Sequence, residues 1–150
     1  MGFGADLAAQ NVIVPIIDLT ASAEGSDVRE DLQKALAFGS QTSHSVYDQT
    51  TTLINTTGFF RVFGNWGFDA GAGSISGDFR VTDGATTKTL WGLGQFTAGS
   101  GNVSVDFVIF LDSGESLTCV ASAGAQFIGS SRQIADITGT LVQPSGFSPS

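Results

Sequence analysis

Apolar and polar residues alternate along much of this chain, most clearly in two stretches of its second half. In residues 74–84, SISGDFRVTDG, alternation places Phe79 and Val81 on one side and Asp78 and Arg80 on the other. Residues 102–111, NVSVDFVIFL, repeat the pattern with apolar residues at every second position. A period of two is typical of a β-strand with one buried face. Turn signals separate such stretches about every eight to twelve residues, a spacing that indicates a sandwich or barrel.

We count eight or nine strand candidates and predict an all-β fold: an antiparallel two-sheet sandwich of jelly-roll type. An immunoglobulin-like sandwich is the alternative. The single domain is expected to span residues 12–142. It begins with the β-branched stretch 12–19, whose Pro15 has no N–H for a ladder and therefore indicates an edge strand or a strand with a bulge.

One segment follows the helical period instead, and the two ends of the chain follow neither period. The stretch SDVREDLQKALAFG predicts a short helix near residues 27–38, with Asp27 and Glu30 as a capping box. Residues 1–11 are predicted to form an N-terminal arm, and residues 143–150, rich in Pro, Ser and Gly, an exposed C-terminal tail.

The stretch TGFFRVFGNWGF, residues 57–68, contains five aromatic residues. Alternation places Phe60 and Trp66 on one strand face, which we predict to be core. Phe59 and Phe63 lie on the opposite face, where a solvated strand carries polar residues. We therefore expect the early helix or a neighbouring subunit to cover them. The interface candidates, which include one aromatic residue from each predicted arm, are Phe3, Leu7, Phe59, Phe63 and Phe147.

Composition points to an assembly. Charged residues make up 13% of the 150 residues, against about 25% in typical soluble domains. A surface so poor in charge is often partly hidden by other subunits. The net charge is −8 and the six basic residues do not cluster, which argues against nucleic acid and anionic membranes as partners. No charged region of a signal peptide is present, so we expect synthesis in the cytoplasm without export.

The residues that carry chemistry are few. One histidine and one cysteine cannot build a zinc site, and His44 lacks the sequence context of a catalytic triad. Cys119 lies in the apolar run SLTCVAS and is predicted to be a buried, inert thiol. We therefore expect no catalytic residue, no metal and no cofactor. A calcium site at Asp112 and Glu115 stays open as an alternative, although turn geometry alone explains the stretch DSGES.

Aromatic side chains offer a second alternative, a platform for glycans. The candidates are Tyr47, Trp66 and Trp91. The two tryptophans lie within apolar β-patterns, where packing in the core is the commoner fate.

Two groups of segments carry a family resemblance. GESLTCVASAGAQF followed by ADITGTLV, together with GFFRVFGNW and VSVDFVIFL, resembles the jelly-roll proteins of tailed-phage virions. In GESLTCVASAGAQF followed by ADITGTLV, a turn precedes a strand, a small-residue loop and a final strand. VPIIDLTASAEGSDVREDLQKALAFGS followed by TTTLINTTGFFRVFGN resembles small structural proteins of phages that infect aquatic bacteria, including cyanophages.

The resemblance implies a non-enzymatic virion protein, made in the host cytoplasm. A capsid decoration, or cement, protein is the favoured version, as a homotrimer or higher oligomer bound to the major capsid protein or to other virion proteins. A tail, fibre or adaptor component and a glycan-binding module that recognises the host are the alternatives. An enzyme acting on polysaccharide is the least favoured hypothesis.

Overall fold

Eight strands form the body of the described part of the chain. The computed structural model describes residues 35–147, together with Arg29 and Leu32. A 3₁₀ turn at Phe38–Ser40 precedes the first strand, and another at Ala70–Ala72 follows the third. The strands are β1 (Thr42–Tyr47), β2 (Thr50–Ile54), β3 (Gly58–Asp69), β4 (Ile75–Thr82), β5 (Thr87–Phe96), β6 (Ser100–Leu111), β7 (Ser116–Ala121) and β8 (Ala125–Ala135).

The strands pair into two antiparallel sheets of four. Sheet A has the order β1-β8-β3-β6, and sheet B has the order β2-β7-β4-β5. Most successive strands cross from one sheet to the other, so neighbours within a sheet come from distant parts of the chain. Eight strands nested in this way form the double Greek key of a jelly roll. The predicted antiparallel two-sheet sandwich is confirmed.

The core lies between the sheets and is centred on aromatic rings. Trp66 of β3, Phe79 of β4 and Phe127 of β8 are fully buried. The ring of Trp66 lies 5.7 Å from that of Phe79 and 5.6 Å from that of Phe127. Each such aromatic pair adds about 0.5–1.5 kcal/mol beyond the burial of area. Gly77 faces Trp66 across the core, and a Cβ at that position would overlap the indole ring.

The last strand comes earlier in the chain than the sequence predicted. We expected a small-residue loop and then a final strand at QIADITGTLV, but β8 occupies Ala125–Ala135. The side chain of Asp136 then accepts hydrogen bonds from the N–H groups of Thr138 and Thr140, at 2.9 and 3.0 Å, and closes a turn. Small residues are suited to this strand because β8 packs between β1 and β3, where Gly129 lies directly opposite Gly64.

Several predicted segments lie wholly or largely outside the described residues. These are the arm at 1–11 with Phe3 and Leu7, the edge strand at 12–19, and most of the helix near 27–38. Where that helix segment is described, residues 35–37 are not helical and Phe38 begins the 3₁₀ turn. Among the described residues, no helix is long and apolar enough to cross a membrane.

The described part of the C-terminal segment packs on the sandwich. Leu141 bridges to Ala135, and Pro144 is buried. The N–H of Ser145 donates to the hydroxyl of Ser40, next to the first 3₁₀ turn. Phe147, at the end of this segment, is exposed.

Candidate functional site on the outer face of sheet A

The outer faces of the two sheets differ in chemistry. Sheet B turns hydroxyl-bearing side chains outward, together with an ion pair in which Arg80 Nε lies 2.8 Å from Asp78 Oδ1. Sheet A instead exposes large apolar side chains on its outer face: Tyr47 (52% exposed), Val108 (49%), Phe110 (40%) and Ile128 (57%). Large apolar side chains exposed on one sheet face in this way mark an interaction site more often than a solvated face.

One half of this face is the apolar patch, which consists of Phe59, Phe63, Val108 and Phe110 on the neighbouring strands β3 and β6. The register places Phe59 opposite Phe110, and their ring centroids are 4.7 Å apart. Because β6 is an edge strand of sheet A, the patch reaches the rim of the molecule. It is therefore accessible to a second protein surface.

A charged pair crosses the apolar patch. Arg61 donates through Nε and Nη2 to the two carboxylate oxygens of Asp106, at 3.0 and 2.9 Å. Its guanidinium also lies 4.3 Å from the ring centroid of Phe63, a cation–π contact. The chain itself thus supplies part of the cover for Phe59 and Phe63, which are half-buried. Most of the helix expected to cover them lies outside the described residues, and a covering subunit stays a prediction.

The other half of the face contains a glycine-floored hollow of about 570 Å³. Its floor is the backbone of Gly67, where a Cβ would meet no atom within 4 Å. Two apolar and three polar side chains surround this floor: Tyr47, Ile128, Asn65, Asp69 and Gln126.

The three aromatic residues predicted as a glycan platform do not come together on one surface. Trp66 is fully buried, and Trp91 is half-buried on β5 with its ring stacked 6.2 Å from that of Trp66. Both belong to the core because the strand alternation turns them toward the opposite sheet. Tyr47 alone of the three lies on the outer face of sheet A, at the hollow.

Asp112 and Glu115 are used by the turn that contains them. Glu115 Oε1 accepts from the N–H of Asp112 at 2.8 Å, and Asp112 Oδ1 accepts from the N–H of Ser113 at 2.7 Å. These bonds hold the turn that carries the chain from β6 in sheet A to β7 in sheet B. Among the described residues, no group of three or more His, Cys, Asp or Glu side chains is placed to hold a metal ion.

The two residues considered for nucleophilic chemistry face the interior. His44 lies within β1, and its Nε2 is 2.8 Å from the hydroxyl oxygen of Ser131. Burial lowers the pKa of His44 below 6.5, so the ring is neutral at pH 7. Cys119 is fully buried, and burial, aided by the charge of Asp78, raises the pKa of its thiol to about 12. The predicted burial of Cys119 is confirmed.

Sequence reasoning missed two polar residues with buried side-chain atoms, Arg132 on β8 and Gln41 directly before β1. Arg132 is 3% exposed. Its Nη2 donates to the carbonyl of Val142 at 3.2 Å, while Nε and Nη1 are buried without a hydrogen-bond partner among the described residues. Both polar atoms of the Gln41 amide are also buried without a hydrogen-bond partner among the described residues. Burial lowers the pKa of the Arg132 guanidinium. No sequence motif signals these two residues, because Gln41 and Arg132 lie far apart in the chain.

Comparison with known proteins identifies structural relatives. Neither a protein-family model nor a curated protein sequence matches this chain. Solved structures do match, and two of them are crystal structures of a pentameric capsid protein isolated from metagenomic phage sequences. Each superposes with a TM-score of 0.67 and 36% sequence identity over 81% of this chain.

The match also covers most of those proteins, 76% of one chain and 78% of the other. A phage structural protein, which the sequence resemblance implied, is thereby supported. Identity at this level over this share of both sequences goes beyond a likeness of fold: the chain belongs to the family of these phage capsid proteins.

Proposed function

We propose that this chain is a non-enzymatic structural component of a phage virion, and that it assembles as a homo-oligomer within or upon the capsid. The observation that carries the proposal is the apolar patch. Val108 and Phe110 remain 49% and 40% exposed on an edge strand, in a chain with little charge to keep such a surface solvated. A neighbouring subunit would remove the patch from water, at about 25 cal/mol per Å² of apolar surface.

The stoichiometry we propose is a pentamer. Composition and resemblance led us to expect a trimer or a higher oligomer, and the relatives are described as pentameric. A ring of five is closed by heterologous contacts, in which a patch on one subunit meets a different surface of the next. The apolar patch would then pack on another part of the neighbouring chain, and the ring would suit a fivefold axis of an icosahedral shell.

Decoration of the shell is the version of this role that we favour. The described residues form one short sandwich without the long repetitive shaft of a fibre. A protein that binds the assembled shell and not its free subunits stabilises the shell by mass action. The major capsid protein would be the partner. The tail or adaptor role and the cyanophage origin stay predictions.

Light scattering coupled to size-exclusion chromatography tests the assembly. We expect a particle of five times the 15.4 kDa chain mass. The variant Val108→Asp should shift the population toward monomer, because it places a charge in the apolar patch. Val108 is exposed, so the new carboxylate stays in contact with water in the monomer and should leave the fold intact.

Thr52→Asp is the matched control. Thr52 is exposed and lies on the edge strand β2 of the other sheet, opposite Thr118 in the register. It should retain the oligomer. A wild-type chain that stays monomeric at all concentrations would contradict the proposal, and so would equal loss of assembly in both variants.

A further inference from the structure

The glycine-floored hollow is built by the register of three strands. Tyr47, Gln126 and Gly67 form one row across β1, β8 and β3, and Ile128 and Asn65 lie in the next row. Since Gly67 has no side chain, the first row has a gap at its centre. The gap leaves a hollow whose volume, about 570 Å³, is within the range of small-molecule sites.

The apolar part of the hollow comes from two side chains. Tyr47 and Ile128 are 52% and 57% exposed, which is more than either would be in a core. They line the hollow together with Phe68. A ligand with an apolar face of C–H groups would remove part of this surface from water.

The polar part consists of hydrogen-bond acceptors held in place by bonds to neighbouring groups. The amide of Gln126 donates to the hydroxyl of Ser45 at 3.1 Å, which leaves its oxygen available. The amide of Asn65 donates to the carbonyl of Trp66 at 3.3 Å, with the same result.

A carboxylate completes this set of acceptors. Asp69 Oδ1 accepts from the N–H of Gly71 at 2.9 Å, and Oδ2 has no hydrogen-bond partner among the described residues. Each of the three polar side chains therefore keeps an acceptor oxygen for an incoming O–H donor.

We propose that this hollow binds a neutral saccharide, with hydroxyl groups on the three acceptors and a C–H face on Tyr47 and Ile128. The alternatives fit less well. An acidic sugar or a phosphate would be repelled by Asp69 and by the net charge of −8. A metal ion would find one carboxylate here, and no metal-binding cluster occurs among the described residues.

The hollow is distinct from the apolar patch. Phe63 of the patch and Gly67 of the hollow are four residues apart on β3, or about 13 Å at the rise of a strand, and no residue lines both. Sugar binding to the full chain can therefore be tested separately from assembly. In an assembled particle, this site would attach the virion to polysaccharide.

Saturation-transfer difference NMR on the full chain tests the site. The probes are methyl glucoside, methyl galactoside and N-acetylglucosamine, with glucuronic acid as the acidic comparison. We expect saturation of ring C–H protons in at least one neutral sugar and none in glucuronic acid. A Cβ at position 67 meets no atom within 4 Å, so Gly67→Leu should project into the hollow and abolish the signal. Tyr47→Ala should weaken binding about tenfold.

Thr52→Leu, which adds the same side chain on the outer face of sheet B, is the control and should bind like the wild type. Absence of saturation in all three neutral sugars would overturn the proposal. An undiminished signal in both Gly67→Leu and Tyr47→Ala would also overturn it. If Gly67→Leu fails to fold by circular dichroism, the Tyr47→Ala result decides alone.

Discussion

The fit between Trp66 and Gly77 shows how one residue sets the shape of the core. The indole of Trp66 occupies the space that a side chain at position 77 would need. Its ring also contacts Phe79, Trp91 and Phe127. A glycine in the middle of a strand is unfavourable by itself, and here the packing of the largest core side chain offsets that penalty.

Gly77→Ala is therefore expected to lower the free energy of unfolding by about 1–3 kcal/mol, the usual range for overpacking a core. Urea denaturation measures the loss. The penalty should shrink in combination with Trp66→Phe, which removes the indole atoms that the new Cβ meets. Gly67→Ala is the control, since its Cβ has open space. Equal effects at positions 67 and 77 would refute this account of the core.

His44 makes stability depend on pH through its burial. Its pKa in the folded chain lies below the ordinary 6.5, so between these two values the unfolded chain binds a proton that the folded chain does not. The free energy of unfolding should therefore fall as the pH drops below about 6.5. The lowered pKa values of Asp83 and Asp136 act in a more acidic window, below 3.8.

In the variant His44→Gln, the dependence of stability on pH should be shallower between pH 7.5 and 5, because the titrating group is gone. The glutamine amide can still bond to Ser131. Urea midpoints at several pH values for both proteins provide the measurement. Identical slopes would show that another group controls stability in this range.

At the scale of elements, the backbones of β3 and β8 approach each other closely at Gly64 and Gly129. A Cβ at Gly129 would overlap the carbonyl oxygen of Phe63 and the ring of Phe127, and a Cβ at Gly64 would overlap the carbonyl oxygen of Ile128. The glycine pair thus allows the two central strands of sheet A to run side by side. The attachment of β1 also depends on this contact, because β8 is the strand that joins β1 to the rest of the sheet.

Gly129→Ala is expected to destabilise the chain by about 3 kcal/mol or more, because backbone atoms block the new methyl group and cannot move aside separately. Gly101→Ala on the edge strand β6 should change stability little, since its Cβ would make an ordinary 3.4 Å contact with Phe68. Thermal unfolding of both variants makes the comparison. A mild effect at position 129 would mean that the strands can separate without loss.

The sequence predicts a strand correctly where burial of one face produces an alternation of apolar and polar residues. Alternation located β3, β4 and β6 and gave the buried faces of Phe60, Trp66 and Phe79 correctly. It misplaced β8, because the small residues around Gly129 owe their place to close strand packing, which leaves no pattern in the sequence. The hollow was also invisible, since it needs Tyr47, Gly67 and Gln126 from three strands that the topology alone brings together.

At the scale of the whole molecule, the two sheets give the sandwich two unlike sides. Sheet A presents the apolar patch and the hollow, and sheet B presents mostly hydroxyl groups with one ion pair. An oligomer built through the apolar patch would leave sheet B toward solvent or toward other virion proteins. Two chemically distinct faces would allow a subunit to take one orientation among its neighbours in the proposed assembly.

The interior position of Cys119 has a practical consequence for such an assembly. It is the single cysteine of the chain, fully buried and with a thiol pKa of about 12, so it should not react with maleimides while the protein is folded. A cysteine introduced at an exposed position such as Thr52 would therefore be the sole reactive thiol. Fluorophores or spin labels could be attached there to the otherwise native chain, and distances between subunits could then be measured in the intact particle.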